Sequence, residues 1–240
     1  TLNQNTTADD NTAVGQSAMQ STTTGAYNVA VGARALYTNT TGRNNAALGQ
    51  DALRYNTTGS LNTGLGNRSL YQNTTANDNT GVGHNSLQAT TTGDGNVGVG
   101  CSALAANTTG GNNTAVGNHA LLTPTTASNN TAVGHRAMLV NTTGNENVAV
   151  GRAALEDNTT GSHHVAIGNH ALRNNTTSSY NTGIGHDALA ANTTGQQNTA
   201  VGCFALDAIT TNSQCVAVGY NCLTDNTAAL NTAVGFEAMD

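Results

Sequence analysis

A glycine returns along this chain with fixed spacing. Gly15, Gly32, Gly49, Gly66, Gly83, Gly100, Gly117, Gly134, Gly151, Gly168, Gly185, Gly202 and Gly219 are each 17 residues apart, and a step of 16 then reaches Gly235. Each glycine closes a phrase of the form Asn-Thr/Val-Ala/Gly-aliphatic-Gly, as in Asn147-Val148-Ala149-Val150-Gly151. A unit this short cannot bury a core of its own, so its apolar residues must be covered by the units before and after it. That restricts the chain to a solenoid or fibrous array.

Numbered from the asparagine, as in the copy that begins at Asn113, the unit reads N-T-A-V-G-x-x-A-L-x-x-N-T-T-G-x-x. Column three is always Ala or Gly, column four always Val, Ile or Leu, and column nine always Leu or Met. A helix would have to survive glycine in column five, Thr-Thr in columns thirteen and fourteen and usually glycine in column fifteen, which helix propensity disfavours. Alternation over columns one to four suits a short strand, glycine in column five breaks it, and columns six to nine suit a second strand. Asn-Thr-Thr-Gly then supplies the longer turn, because Asn bonds its own backbone and Gly tolerates positive φ.

The expected fold is therefore all-β, a parallel β-solenoid of the β-roll or β-helix type. It has 17-residue coils, roughly 14 rungs and two short strands per coil. At about 4.8 Å per rung, thirteen steps make a rod roughly 60 Å long. Two aliphatic columns are expected to fill its thin core. The first comprises Val14, Val31, Leu48, Leu65, Val82, Val99, Val116, Val133, Val150, Ile167, Ile184, Val201 and Val218. The second includes Leu36, Leu53, Leu104, Leu155 and Leu189. Two large aliphatics per coil are few against the entropy cost of ordering a whole coil of backbone, so a core shared between chains is expected. The expected partner is another copy of the chain, in a homotrimer or a head-to-tail filament. Residues 1–240 read as one continuous repeat array, a segment of a longer fibre or a filament subunit, since Thr1-Leu2 and Met239-Asp240 occupy nearly the same phase.

Composition removes several classes. Charged residues make up 8% of the chain and there is no lysine; seven arginines face 13 acids, for a net charge of -6. A nucleic-acid footprint needs clustered basic residues, and none is present. No apolar run approaches the roughly 20 residues of a membrane helix, and no signal-peptide pattern is visible at the first residues. Cys101, Cys203, Cys215 and Cys222 fit no C-x-x-C spacing, and no two of them stack in one column on adjacent rungs. They read either as isolated small residues or as a disulfide among the last three.

The column-one asparagines can link amides from rung to rung as in stacked sheets. In column twelve, Asn-Thr-Thr matches the N-x-[ST] acceptor pattern at Asn5, Asn39, Asn56, Asn73, Asn107, Asn141, Asn158, Asn175 and Asn192. These are either glycan sites aligned along one edge or turn residues capping the backbone. Threonines in columns two, thirteen and fourteen are candidates for O-linked sugar. An ice-binding array is disfavoured, because adjacent Thr-Thr would point opposite ways and column two alternates between Thr and Val. His84, His135 and His186 share column six but lie three rungs apart, roughly 14 Å, too far for one metal. His163, His164 and His170 fall in one coil, and His119 and His135 could come close across adjacent rungs. The acids Asp51, Glu146, Glu156, Asp157 and Asp187 occur singly in variable columns. The chain thus reads as having no catalytic residues, metal or cofactor.

The unit resembles the N-T-A-V-G-x-x-A-L-x-x-N-T-T-G repeats of bacteriophage tail-fibre and bacterial surface proteins, which often precede an endosialidase-type chaperone domain. More distantly, Asn28-Val29-Ala30-Val31-Gly32 and His164-Val165-Ala166-Ile167-Gly168 are similar to the head repeats of trimeric autotransporter adhesins. The second resemblance implies a trimeric left-handed parallel β-roll, although the unit here is longer by the Asn-Thr-Thr-Gly turn. Together they imply a structural fibre protein at a cell or virion surface, extracellular, a rigid rod that is glycan-coated or adhesive. The alternative is a module that binds surface glycans through columns six, seven, ten and eleven, with Tyr37, Tyr55 and Tyr71 as candidate contacts.

Overall fold

The computed structural model describes residues 7–239. The chain divides into two compact units, Thr1–His119 with Thr123–Thr126, and Ala120–Leu122 with Ala127–Asp240. The first contains β1 (Thr12–Val14), β2 (Val29–Val31), β3 (Ala46–Leu48), β4 (Thr63–Leu65), β5 (Thr80–Val82), β6 (Val97–Val99) and β7 (Thr114–Val116). The second contains β8 (Thr131–Val133), β9 (Val148–Val150), β10 (Val165–Ile167), β11 (Thr182–Ile184), β12 (Thr199–Val201), β13 (Val216–Val218) and β14 (Thr232–Val234). Within each unit every strand lies beside its sequence neighbours, in parallel. The register joins like to like, as in Ala30 with Ala47 and Val31 with Leu48. This is the expected parallel β-solenoid, one coil per 17 residues.

Only one strand per coil forms, however. Columns six to nine, expected to hold the second strand, lie in a run of turns that extends to column eleven. Columns seven and nine take left-handed backbone angles there, as at Arg34 (φ 57) and Leu36 (φ 51). Neighbouring coils still bond along this stretch, with the Leu36 N–H donating to the Ala52 carbonyl at 2.9 Å and the Arg34 N–H to the Gln16 carbonyl at 2.8 Å. The backbone is satisfied without the pleat, so the twofold alternation of side chains is lost.

Glycine in column five is required by close approach. At Gly66, φ is +131, and a Cβ would lie 2.6 Å from the Gly83 carbonyl oxygen of the next coil. No L-side chain fits both conditions.

The interior reverses one of the two expected aliphatic columns. Column nine is inside as expected: Leu36, Leu53, Leu104, Leu155 and Leu189 are fully buried, together with Met19 and Met138. Column four is not. Val14, Val31, Leu48, Val116, Val150, Ile167 and Val218 are exposed by 37% or more. Leu65, Val82, Val99, Val133, Ile184 and Val201 are half-buried. The strand period explains this. Columns one and three share a face, and that face turns inward carrying Asn and Ala or Gly, which sends columns two and four outward.

Two asparagine columns therefore line the interior beside Leu and Ala. The Asn45 N–H donates to Asn28 Oδ1 at 2.9 Å, and Asn45 Nδ2 donates to the Gly59 carbonyl at 2.9 Å, a pattern repeated by Asn62, Asn79 and Asn96. Each side chain thus satisfies a backbone donor of one residue and a backbone acceptor of another, which makes a buried amide tolerable. Two buried carboxylates sit outside these columns. Asp51 pairs with Arg34 at 2.8 Å and Arg54 at 3.3 Å, and Glu156 with Arg136 at 2.7 Å and Arg173 at 3.0 Å. All four cysteines are free, so the expected alternative of a disulfide among Cys203, Cys215 and Cys222 is not realised. Among the described residues no helix is long and apolar enough to cross a membrane.

Candidate functional site

The outward face of the strands is uncharged in all fourteen. Columns two and four contribute only Thr, Val, Ala, Leu and Ile to it. An aliphatic side chain recurs once per coil at the parallel-sheet spacing, so each unit carries a continuous apolar strip rather than scattered single residues.

The column-twelve asparagines do not form an accessible edge. Asn39, Asn56, Asn73, Asn107, Asn141, Asn158, Asn175 and Asn192 are all completely buried, whereas Asn5 lies outside the described residues. Asn56 Nδ2 donates to Asn39 Oδ1 at 2.8 Å and to the Gly59 carbonyl at 2.9 Å, and Asn158 does the same with Asn141 Oδ1 at 2.7 Å and the Gly161 carbonyl at 2.9 Å. A glycan on any of the eight would have to occupy the coil interior, so these positions are corrected from candidate acceptors to structural amides. The following column uses its threonines the same way: Thr40 Oγ1 donates to the Thr57 carbonyl at 3.0 Å and Thr57 Oγ1 to the Thr74 carbonyl at 3.0 Å. Column fourteen is exposed, as at Thr41, Thr58, Thr143 and Thr160.

Variable columns build two surface clusters. In the first unit Arg54, held by buried Asp51, lies 5.9, 5.1 and 5.9 Å from the ring centres of Tyr37, Tyr55 and Tyr71, within cation–π range of each. Tyr55 and Tyr71 meet edge to face at 5.0 Å, and the Tyr71 hydroxyl donates to the Tyr55 hydroxyl at 3.5 Å. That hydrogen bond and partial burial push the Tyr71 phenol above its ordinary value. Beside the rings runs an open groove of about 470 Å³ lined by Thr38, Tyr55, Thr57, Gln72, Thr74 and Thr91. The sequence places these tyrosines in variable columns, and the stacking of adjacent rungs brings them together.

In the second unit the histidines separate by role. His164 replaces a column-one asparagine and reproduces both of its bonds. Nδ1 accepts the Asn181 N–H at 3.2 Å, and Nε2 lies 2.7 Å from the Ser178 carbonyl, to which it donates. Burial lowers its pKa to about 4. Its neighbour His163 faces outward, stacked on Tyr180 at 4.8 Å. His170, His186 and Asp187 converge on the surface, with their candidate ligand atoms all within 4.8 Å of one another. Sequence reasoning missed this group although its spacing of 16 and 17 residues, one coil apart, is the spacing that points to His119 and His135. From His186 an aromatic run continues through Phe204 at 5.3 Å, Tyr220 at 6.1 Å and Phe236 at 5.3 Å. His84 and His135 are exposed, and His119 and His135 belong to different units.

Fold and surface together define the class, a parallel β-solenoid repeat protein with polar amide columns inside and an aliphatic strip outside. No family model matches the chain, and no curated protein or solved structure matches it either.

Proposed function

We propose that this chain is a structural, self-assembling fibre segment of a cell or virion surface, whose copies pack through the aliphatic strips of their sheets. One observation carries the proposal: the chain keeps its asparagines inside and presents an uncharged aliphatic column outside, at one residue per coil. The occupant that fits best is a second copy, because only another solenoid of the same coil repeats its own apolar side chains at the same rung spacing. Burying these side chains supplies the apolar contact that a single column of Leu leaves short. Nothing in the reading calls on catalysis. Light scattering on the purified chain should return a multiple of 24.2 kDa. Replacing Val116, Val150 and Ile167 by Lys should lower it to the single-chain mass without loss of the β-type circular dichroism. A single-chain mass for the unaltered protein at high micromolar concentration would overturn the proposal.

A second reading, glycan binding, is supported by the Tyr37–Arg54–Tyr55–Tyr71 cluster beside its groove. Aromatic faces suit the apolar sides of sugar rings, and threonine and glutamine supply hydrogen-bonding groups around them. Glycan-array binding that disappears in Tyr55→Ala is the corresponding test.

A further inference from the structure

We infer that His170, His186 and Asp187 form a surface site for a divalent transition-metal ion of the zinc class. His170 Nδ1 lies 3.2 Å from Asp187 Oδ1 and His186 Nδ1 lies 3.1 Å from Asp187 Oδ2. All three ligand groups fall within 4.8 Å of one another. Around a tetrahedral ion with bonds of about 2.0–2.1 Å, ligand atoms stand about 3.3 Å apart. Each imidazole nitrogen stands at that edge distance from one of the two Asp187 oxygens, so a turn of the carboxylate that presents one oxygen to both rings, with the rings following, closes the tetrahedral face. Two imidazoles and a carboxylate leave a fourth position open to water, and this nitrogen-rich set suits Zn²⁺, Co²⁺ or Cu²⁺ rather than Mg²⁺ or Ca²⁺.

The backbone presents the three groups in advance. His170 and Asp187 occupy column seven of adjacent coils, tied by the Asp187 N–H to the Asn169 carbonyl at 3.0 Å, and His186 precedes Asp187 in the chain. Both column-seven residues hold the left-handed angle of that column, φ 59 and 54. Phe204 packs its edge against the His186 ring at 5.3 Å and limits its swing.

Without metal, Arg152 Nη1 donates to His170 Nε2 at 2.8 Å, which places the ring proton on Nδ1, facing Asp187. Binding takes Nδ1 as the ligand and moves that proton to Nε2, so the exposed Arg152 must turn away. A residue that accepts from Nε2 in its place would strengthen the site, as second-shell acceptors do for ligating histidines.

The probe is Zn²⁺ alone, in equilibrium dialysis with the full chain carrying Cys203→Ser so that the nearby thiol in the next coil does not contribute. One ion per chain is expected at micromolar free Zn²⁺. Affinity should fall on the order of 100-fold in His186→Ala and in His170→Ala, rise about tenfold in Arg152→Gln, and stay unchanged in His135→Ala. Because the altered side chains lie on the outer surface, thermal unfolding of the metal-free variants checks that the coil persists. Absence of bound ion at tens of micromolar free Zn²⁺, or equal binding by the His186→Ala and parent chains with the fold intact, would overturn the assignment.

Discussion

His164 shows what one buried position demands. Column one needs an acceptor for the next coil's N–H and a donor to a carbonyl fourteen residues on, and His164 meets both with its two ring nitrogens. It can do so only while neutral, since a second ring proton would face the Asn181 N–H. The unfolded imidazole takes up a proton below its ordinary pKa of 6.5, the folded one only below about 4. Between those values the unfolded chain holds more protons, so stability falls as pH falls, by up to about 3 kcal/mol. Denaturant midpoints measured from pH 7 to pH 4 should show this decline in the parent chain, and His164→Asn should remove that component.

At the scale of the strand, the interior was half legible. The period, the strand in columns two to four and the buried Leu of column nine follow from the sequence, because glycine and the turn residues bound a segment too short for a helix. The facing of the strand did not follow from hydropathy, which draws Val82 inward and leaves Asn79 at the edge. The signal lay in tolerance instead: column three admits only Ala or Gly, as a crowded interior requires, whereas column two admits Thr, Val or Ala. Once Asn79 and Gly81 share the inner face, Val82 must point out. Tyr37, Tyr55 and Tyr71 were legible as candidate contacts, but Arg54 among them and the cluster at His186 were not, because these join neighbouring coils in variable columns where no residue type is fixed. Asn62→Ala strands the buried N–H of Asn79, which donates to Asn62 Oδ1 at 3.0 Å. It should cost about 2 to 4 kcal/mol in urea unfolding. Val82→Thr should change stability by less than about 0.5.

At the scale of the molecule, the coils within each unit bond to the coil before and the coil after, so stability within a unit is a sum of coil and nearest-neighbour contributions. The chain contains its own demonstration of what a coil tolerates. The last full coil, from Cys215 to Leu230, is one residue short in its turn, yet Val216 and Thr232 still pair in register. Removing residues 147–163, one complete period inside the second unit, should leave a folded chain with a thermal midpoint within a few degrees of the parent. Removing residues 147–154 should unfold the coils around the cut, because it sets interior columns opposite exterior ones. Circular dichroism melts distinguish the two.

The like-to-like register of Ala30 with Ala47 and Ala47 with Gly64 also has a mechanical meaning. When a unit is pulled by its chain ends, the load falls on the outermost coil alone, and the bonds of that coil must part before the next coil feels the force. Such a unit yields in equal increments and does not rupture at once. Each coil that opens pays out slack that shields the rest. A unit built this way would lengthen under a transient tug and rewind on the intact coils that remain as its template.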